Sequence, residues 1–218
     1  MKNFIRIFLL IAALPLLTVA QSNYKPGYVV KLNGDTLRGL IDYRGWDSNP
    51  DVIKFKQAQT STVERLTVNE INFFSLDKIG SYKKYTGTVS MDNANPDNVQ
   101  ENRDTSFKIA SVFLKVLQKG KNVALYSYSD NIKTRLFIGE QPDYQPAELV
   151  YRLYYDMEAV KIFEHGRTVN ENTYMSQLYN LAIKYNAVST ALQRDIEDSG
   201  YREYYVLQVV KKINKAVK

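Results

Sequence analysis

From Tyr28 to about Tyr85, β-branched and aromatic residues alternate with polar ones, and turn chemistry separates the runs. That period of two predicts strands. Val29-Val30-Lys31-Leu32 leads into Asn33-Gly34-Asp35, and Thr36 to Ile41 leads away. Asn-Gly tolerates positive φ, so the stretch predicts a hairpin. Arg44 to Pro50 reads as a loop before the strand Val52 to Lys56, where Ile53 and Phe55 share one face and Val52, Lys54 and Lys56 the other. Thr67-Val68-Asn69-Glu70 fits a capping box, which predicts one helical turn ahead of a strand from Ile71 to Leu76.

Met91 to Asp104 carries four asparagines, three aspartates and Pro96 with almost no apolar residue, the composition of a long surface loop. In Phe107 to Leu117, Phe113, Val116 and Leu117 suit a helix face, but the β-branched content suits a buried strand, and a strand is the expectation. A hairpin follows, Val123 to Ser129 and Thr134 to Ile138 around Asp130-Asn131, with Gly120 as the turn before it. Leu149 to Tyr155 and Val160 to Phe163 predict further strands. Beyond Gly166 the period becomes 3.6. Tyr174, Leu178, Leu181, Ala182 and Tyr185 share one helical face, as do Val188, Leu192 and Ile196, and then Tyr205, Val206, Val209, Val210 and Ile213. Three helices are expected, the last two separated at Ser199-Gly200. No repeat of the kind that builds solenoids is present.

The start of the chain has a different pattern. Lys2 and Arg6 precede an apolar run from Ile7 to Leu17, and Thr18-Val19-Ala20 offers small residues at a cleavage site. Spanning a bilayer takes about 20 apolar residues. The run therefore predicts a removable secretion signal over 1–20, a mature chain from Gln21, and a location in the periplasm or at the outer membrane.

Composition narrows the chemistry. The chain has no cysteine, which excludes disulfides, thiolate metal sites, a cysteine nucleophile and a lipid-bearing cysteine. Removing Lys2 and Arg6 takes the formal charge from +6 to +4, a mild excess spread along the chain. Nucleic-acid binders concentrate such charge on one face or arm, so no nucleic-acid partner is expected. With a single histidine, His165, sites built on two or three histidines are excluded by count. No cofactor or metal motif is present. Asp92, Asn93, Asn95, Asp97 and Asn98 resemble a calcium loop, but Ala94 and Pro96 break the alternation, so a flexible linker is expected there. No Gly-x-Ser-x-Gly motif accompanies the histidine.

Two candidate surfaces remain. Asp42, Asp47 and Asp51 bracket Trp46, and two carboxylates beside an aromatic ring are what glycoside hydrolysis uses. The same residues describe a loop around an anchoring tryptophan. Seventeen tyrosines stand against that one tryptophan, and a tyrosine joins a flat apolar body to a polar tip. Trp46, Tyr126, Tyr128 and Tyr154 are the expected partner or glycan contacts.

GYVVKLNGDTLRGLIDYRGWDSNPDVIKFK, residues 27–56, resembles uncharacterised exported proteins of Bacteroidota-type bacteria. The similar features are the Asn-Gly-Asp-Thr hairpin, the Gly-Leu-Ile-Asp-Tyr strand, the Trp to Asn-Pro loop and the Ile-Lys-Phe strand. FLKVLQKGKNVALYSYSD, residues 113–130, and the helical segment 174–214 are similar as well. In many members this soluble region precedes an outer-membrane β-barrel. The present sequence instead stops in a basic helix. The resemblance implies a location and a fold, and no catalytic residues.

The expectation is an α+β protein, with an antiparallel hairpin-built β domain over 21–165 and a three-helix segment over 166–218. Its expected role is a non-enzymatic periplasmic or envelope interaction module for a protein or glycan. No transmembrane segment is expected after signal cleavage, and an exposed apolar stripe on the last helix would give peripheral membrane contact. The alternative is a hydrolase acting on envelope polysaccharide with carboxylates near Trp46.

Overall fold

The computed structural model describes residues 23–157 and 167–216. The expected secretion signal, His165 and the strand expected at Val160 to Phe163 lie outside the described residues. The fold is α+β: a large antiparallel sheet with three helices at its C-terminal end. Its strands are β1 (Tyr24–Lys31), β2 (Thr36–Asp42), β3 (Val52–Lys56), β4 (Glu64–Thr67), β5 (Ile71–Leu76), β6 (Gly80–Ser90), β7 (Gln100–Glu101), β8 (Phe107–Lys119), β9 (Val123–Ser129), β10 (Thr134–Glu140), β11 (Ala147–Leu149), β12 (Arg152–Asp156) and β13 (Arg167–Glu171). The helices are α1 (Thr173–Lys184), α2 (Thr190–Glu197) and α3 (Glu203–Lys215). Ten strands form one sheet in the order β11-β10-β9-β8-β6-β5-β1-β2-β3-β4, and β13-β12-β7 form a second.

One connection dictates the shape of the N-terminal half. β4 and β5 lie at opposite ends of the run β5-β1-β2-β3-β4, about 19 Å apart in a flat sheet. Only residues 68–70 join them, and four residue steps reach at most about 14 Å. The run therefore curls on itself. Its inner face holds Val29, Ile41, Ile53, Phe55, Ile71, Phe74 and Leu76, all buried. The predicted alternation in β3 holds, with Ile53 and Phe55 inside. Thr67 and Glu70 make the expected capping contacts, Glu70 Oε2 accepting from the Thr67 N–H and Oγ1. They close a turn between strands, however, rather than a helical turn, because the chain must re-enter the sheet at Ile71.

The first hairpin is present with β1 and β2 in antiparallel register. Its loop is longer than Asn-Gly alone. The Gly34 N–H donates to the Lys31 carbonyl, and Gly34 takes the left-handed conformation at φ 93° while Asn33 does not.

In the C-terminal half, β9, β10 and β11 are covered on one face by the helices. Val123, Leu125, Leu136, Ile138 and Leu149 meet Tyr174, Leu178, Val206, Val209, Val210 and Ile213 in one core. Burying such side chains contributes roughly 1.5–3 kcal/mol each. The helical segment thus packs on the sheet, and the strand β13 opens it. The stripe on α3 is core, so the exposed stripe expected of a membrane contact is absent; Val206, Val209, Val210 and Ile213 have no exposure. Tyr205 and Val188 sit outside their stripes and are exposed. Asn214 fastens α3 to the β8–β9 turn, accepting from the Asn122 and Val123 N–H groups and donating to the Val123 carbonyl, each at 3.0 Å. A Cβ on Gly120 would stand 2.1 Å from that side chain, which is why this turn carries glycine.

The other face of β9 and β10 is covered by the chain itself. β6 and β8 pair along residues 81–90 and 107–116, but β5 pairs only with residues 80–83 and β9 only with residues 115–119. Beyond those limits β6 and β8 run on as a two-stranded ribbon. Val89, Val112 and Leu114 of the ribbon pack against Ala124, Tyr126, Tyr128 and Phe137. Asn49 holds the fork where β8 leaves β9. Its Nδ2 donates to the Phe113 and Ser127 carbonyls at 2.7 and 3.1 Å, and its Oδ1 accepts from the Ser129 N–H at 3.0 Å.

Candidate functional site

The four residues expected to form a contact surface are not brought together. Trp46 is half-buried in the core of the curled half, edge-on to Tyr43, Phe74 and Tyr82 at 5.0, 6.0 and 5.7 Å between ring centres. Tyr126 and Tyr128 belong to the core beneath the ribbon and are 2% and 5% exposed. They cannot present a contact patch on the folded chain, and this corrects that expectation. Alternation in β9 puts both on the face that the ribbon covers, which could not be foreseen without the ribbon. Tyr154 is half-buried in β12 of the small sheet.

The pocket beside Trp46 has a volume of about 200 Å³. Trp46, Asp47, Lys115 and Glu203 line it, so helix α3 supplies a carboxylate that local sequence spacing does not connect to Trp46. Binding pockets for small molecules usually start at about 300 Å³. Of the expected carboxylates, Asp42 is buried and paired with Arg44 and Lys54 at 3.3 and 3.9 Å, whereas Asp47 and Asp51 are exposed. Burial, with Tyr43 and Glu203 nearby, pushes the Tyr82 hydroxyl up to about 12. These features are those of an anchored loop.

A second concavity lies where the ribbon meets β11 and β12. This groove, of about 370 Å³, is lined by Thr88, Ser90 and Phe107 from the ribbon, by Asp92, and by Glu148, Tyr151 and Arg152 opposite. Glu148 accepts from the Ser90 N–H at 3.1 Å and from its Oγ at 2.5 Å. Behind it sits a buried charge network. Arg135, with no exposure, donates from Nε to the Ser90 carbonyl at 2.7 Å and from Nη1 to Asp130 at 3.0 Å. Lys133 donates to Asp92 Oδ2 at 2.7 Å. Burial lowers the Lys133 ammonium below its usual range, opposed by its bond to Asp92. Burial would raise Asp130, but hydrogen bonds from Arg135 and from the Ile132 and Lys133 N–H groups outweigh it and hold the carboxyl low.

This network is incompletely satisfied. Asp92 Oδ1, Asp130 Oδ2, Arg135 Nη2 and Arg152 Nε are buried without a hydrogen-bond partner among the described residues. The Arg135 guanidinium also lies 5.7 Å from the Tyr128 ring centre, which offers its face to the charge. Each unmade bond to a buried group costs about 1–3 kcal/mol. Two of these residues, Asp92 and Arg152, also line the groove, and their unpaired atoms lie buried behind its surface. Asp92 opens the stretch expected to be a flexible linker. Instead Asp92 is buried, Asn93 and Asn95 fold back on the N–H groups two residues on, and β7 pairs with β12.

One signal of this site is legible in the sequence. Arg135 alternates with Phe137, so a charge occupies the apolar face of a strand. Nothing local links it to Glu148 or Asp92. Among the described residues, no group of three His, Asp or Glu side chains is arranged to hold a metal, and no helix is long and apolar enough to cross a membrane. No family model matches this chain, and no curated protein or solved structure matches it significantly.

Proposed function

We propose that the protein is a non-enzymatic interaction module of the cell envelope, exported to the periplasm or held at the outer membrane, and that it binds its partner at the groove between the ribbon and β11–β12. One observation carries the reading. The groove combines an exposed aromatic rim, Phe107, with the charged side chains of Asp92, Glu148 and Arg152, backed by a buried polar network that the fold leaves incompletely paired. Its carboxylates are already engaged as acceptors, Glu148 with Ser90 and Asp92 with Lys133, which suits recognition better than proton transfer. The test is crosslinking and affinity capture from envelope fractions with the full chain and with Arg152→Ala. Recovery of one envelope partner by the wild type, lost in the variant, supports the reading. Turnover of a purified envelope glycan by the pure protein would overturn it.

A second reading has one observation in its favour. Asp47 and Glu203 both line the Trp46 pocket, so two carboxylates and an aromatic ring share one concavity. A hydrolase working there would degrade purified envelope polysaccharide and lose that activity on Asp47→Ala or Glu203→Ala.

A further inference from the structure

The ribbon has two edges, and side chains cap part of the one on β6. In an antiparallel ladder the backbone groups of alternate residues point to opposite sides of the strand. The Phe113 carbonyl bonds to Asn49 on the side away from β6, and the β6–β8 register runs unbroken from Phe113 to Phe107. The N–H and C=O groups of Ser111, Ile109 and Phe107 therefore point away from β6 as well. No strand pairs with them there among the described residues.

Two other stretches of sheet edge carry side-chain caps. On β6, Arg135 and Glu148 take the outward groups of Ser90, and the Tyr85 hydroxyl takes the Thr88 carbonyl. At β11, the Gln177 amide accepts from the Val150 N–H and donates to the Glu148 carbonyl. Against that pattern the β8 edge is open and apolar, with Ile109 77% and Phe107 64% exposed. Such an edge is a template for another strand.

Resting on the reading of the ribbon as the contact region, we infer that the edge of β8 at residues 107–111 takes an extended segment of a partner protein as an additional strand. The segment presents apolar side chains on the Phe107 and Ile109 face and an acidic side chain beside Lys108 on the other. Lys108 is exposed and argues against a second copy of this chain. Antiparallel self-pairing centred on Lys108 sets the two lysines directly opposite, and pairing centred on Ile109 sets them on the diagonal, both unfavourable.

The test uses the full chain and a capped six-residue peptide alternating valine and glutamate. Amide hydrogen exchange should slow at least tenfold at Phe107, Ile109 and Ser111 when the peptide is present. The same peptide N-methylated at alternate residues should have no effect. Ile109→Pro removes an outward N–H and spares the β6 ladder, so it should keep the exchange protection of Lys108 and Ala110 while abolishing the peptide effect. Lys108→Glu, a surface change, should reverse the preference towards a valine–lysine peptide. Unchanged exchange at the three amides, or an equal effect from the N-methylated peptide, overturns the inference. So does concentration-dependent protection without peptide, which would mark self-pairing, or protection by purified glycan in place of peptide. Capture of an envelope partner that survives Ile109→Pro but not Arg152→Ala would overturn strand addition and leave the groove reading standing.

Discussion

The Trp46 loop and the ribbon groove are both concave, aromatic-edged and rich in charge, yet they differ in what is left unsatisfied. Around Trp46 the rings of Tyr43, Phe74 and Tyr82 pack against it, the buried Asp42 has two cations, and Asn49 fills backbone valences of the fork. At the groove, Asp92 and Arg152 keep buried polar atoms without partners, and β8 leaves three residues of backbone unpaired. Under the proposed reading, residues that complete the fold have their interactions within the chain, whereas residues that meet the partner keep some in reserve. An aromatic beside aspartates is therefore a poor guide to a site until its partners are known.

The comparison is broken or sharpened by substitution. The largest loss is expected from Lys133→Ala, which leaves Asp92 buried and unpaired, at about 4 kcal/mol in urea unfolding. Replacing the pair together, Asp92→Leu with Lys133→Met, should recover most of that loss while partner capture stays abolished; recovery of capture would mean the network serves stability alone. Trp46→Ala removes three ring contacts and should cost about 3 kcal/mol. A cost below about 1 kcal/mol, the usual surface range, would end the anchoring account. Asn49→Ala orphans the carbonyls of Phe113 and Ser127 and should cost about 2 kcal/mol, with faster amide exchange where β8 and β9 part.

Acid should act next. Asp130 is held low in the fold, as is Glu171 through its hydrogen bond from Arg103 and the charge of Arg152. A carboxyl depressed on folding contributes stability above its unfolded value, near 4, and loses it as pH falls through the folded value. Asp130→Asn should accordingly flatten the fall in stability below about pH 4. The smallest effect belongs to Asp47→Ala, an exposed side chain with no ion pair among the described residues, at about 0.5 kcal/mol or less.

Much of the fold was legible because period 2 and period 3.6 each record which face is buried. β3, the β9–β10 hairpin and the helix stripes at Leu178, Ile196 and Val209 all follow from that record. The curl of β1–β5 was not legible. It follows from pairing β5 with β1, a long-range choice that no local pattern fixes. Burial of Tyr126 and Tyr128 has the same origin, since alternation tells which residues share a face and not what covers it. The groove was nearly silent for a related reason: Ser90 and Asp92 come from one segment and Glu148 and Arg152 from another more than 50 residues on, and only Arg135 broke a local rule.

The most direct measurement is site-specific photocrosslinking in the source cells, with a photoreactive residue at position 109 and, separately, at position 47. The account predicts one defined protein adduct from position 109 and none from position 47. Adducts from position 47 alone, or from neither position, would contradict it.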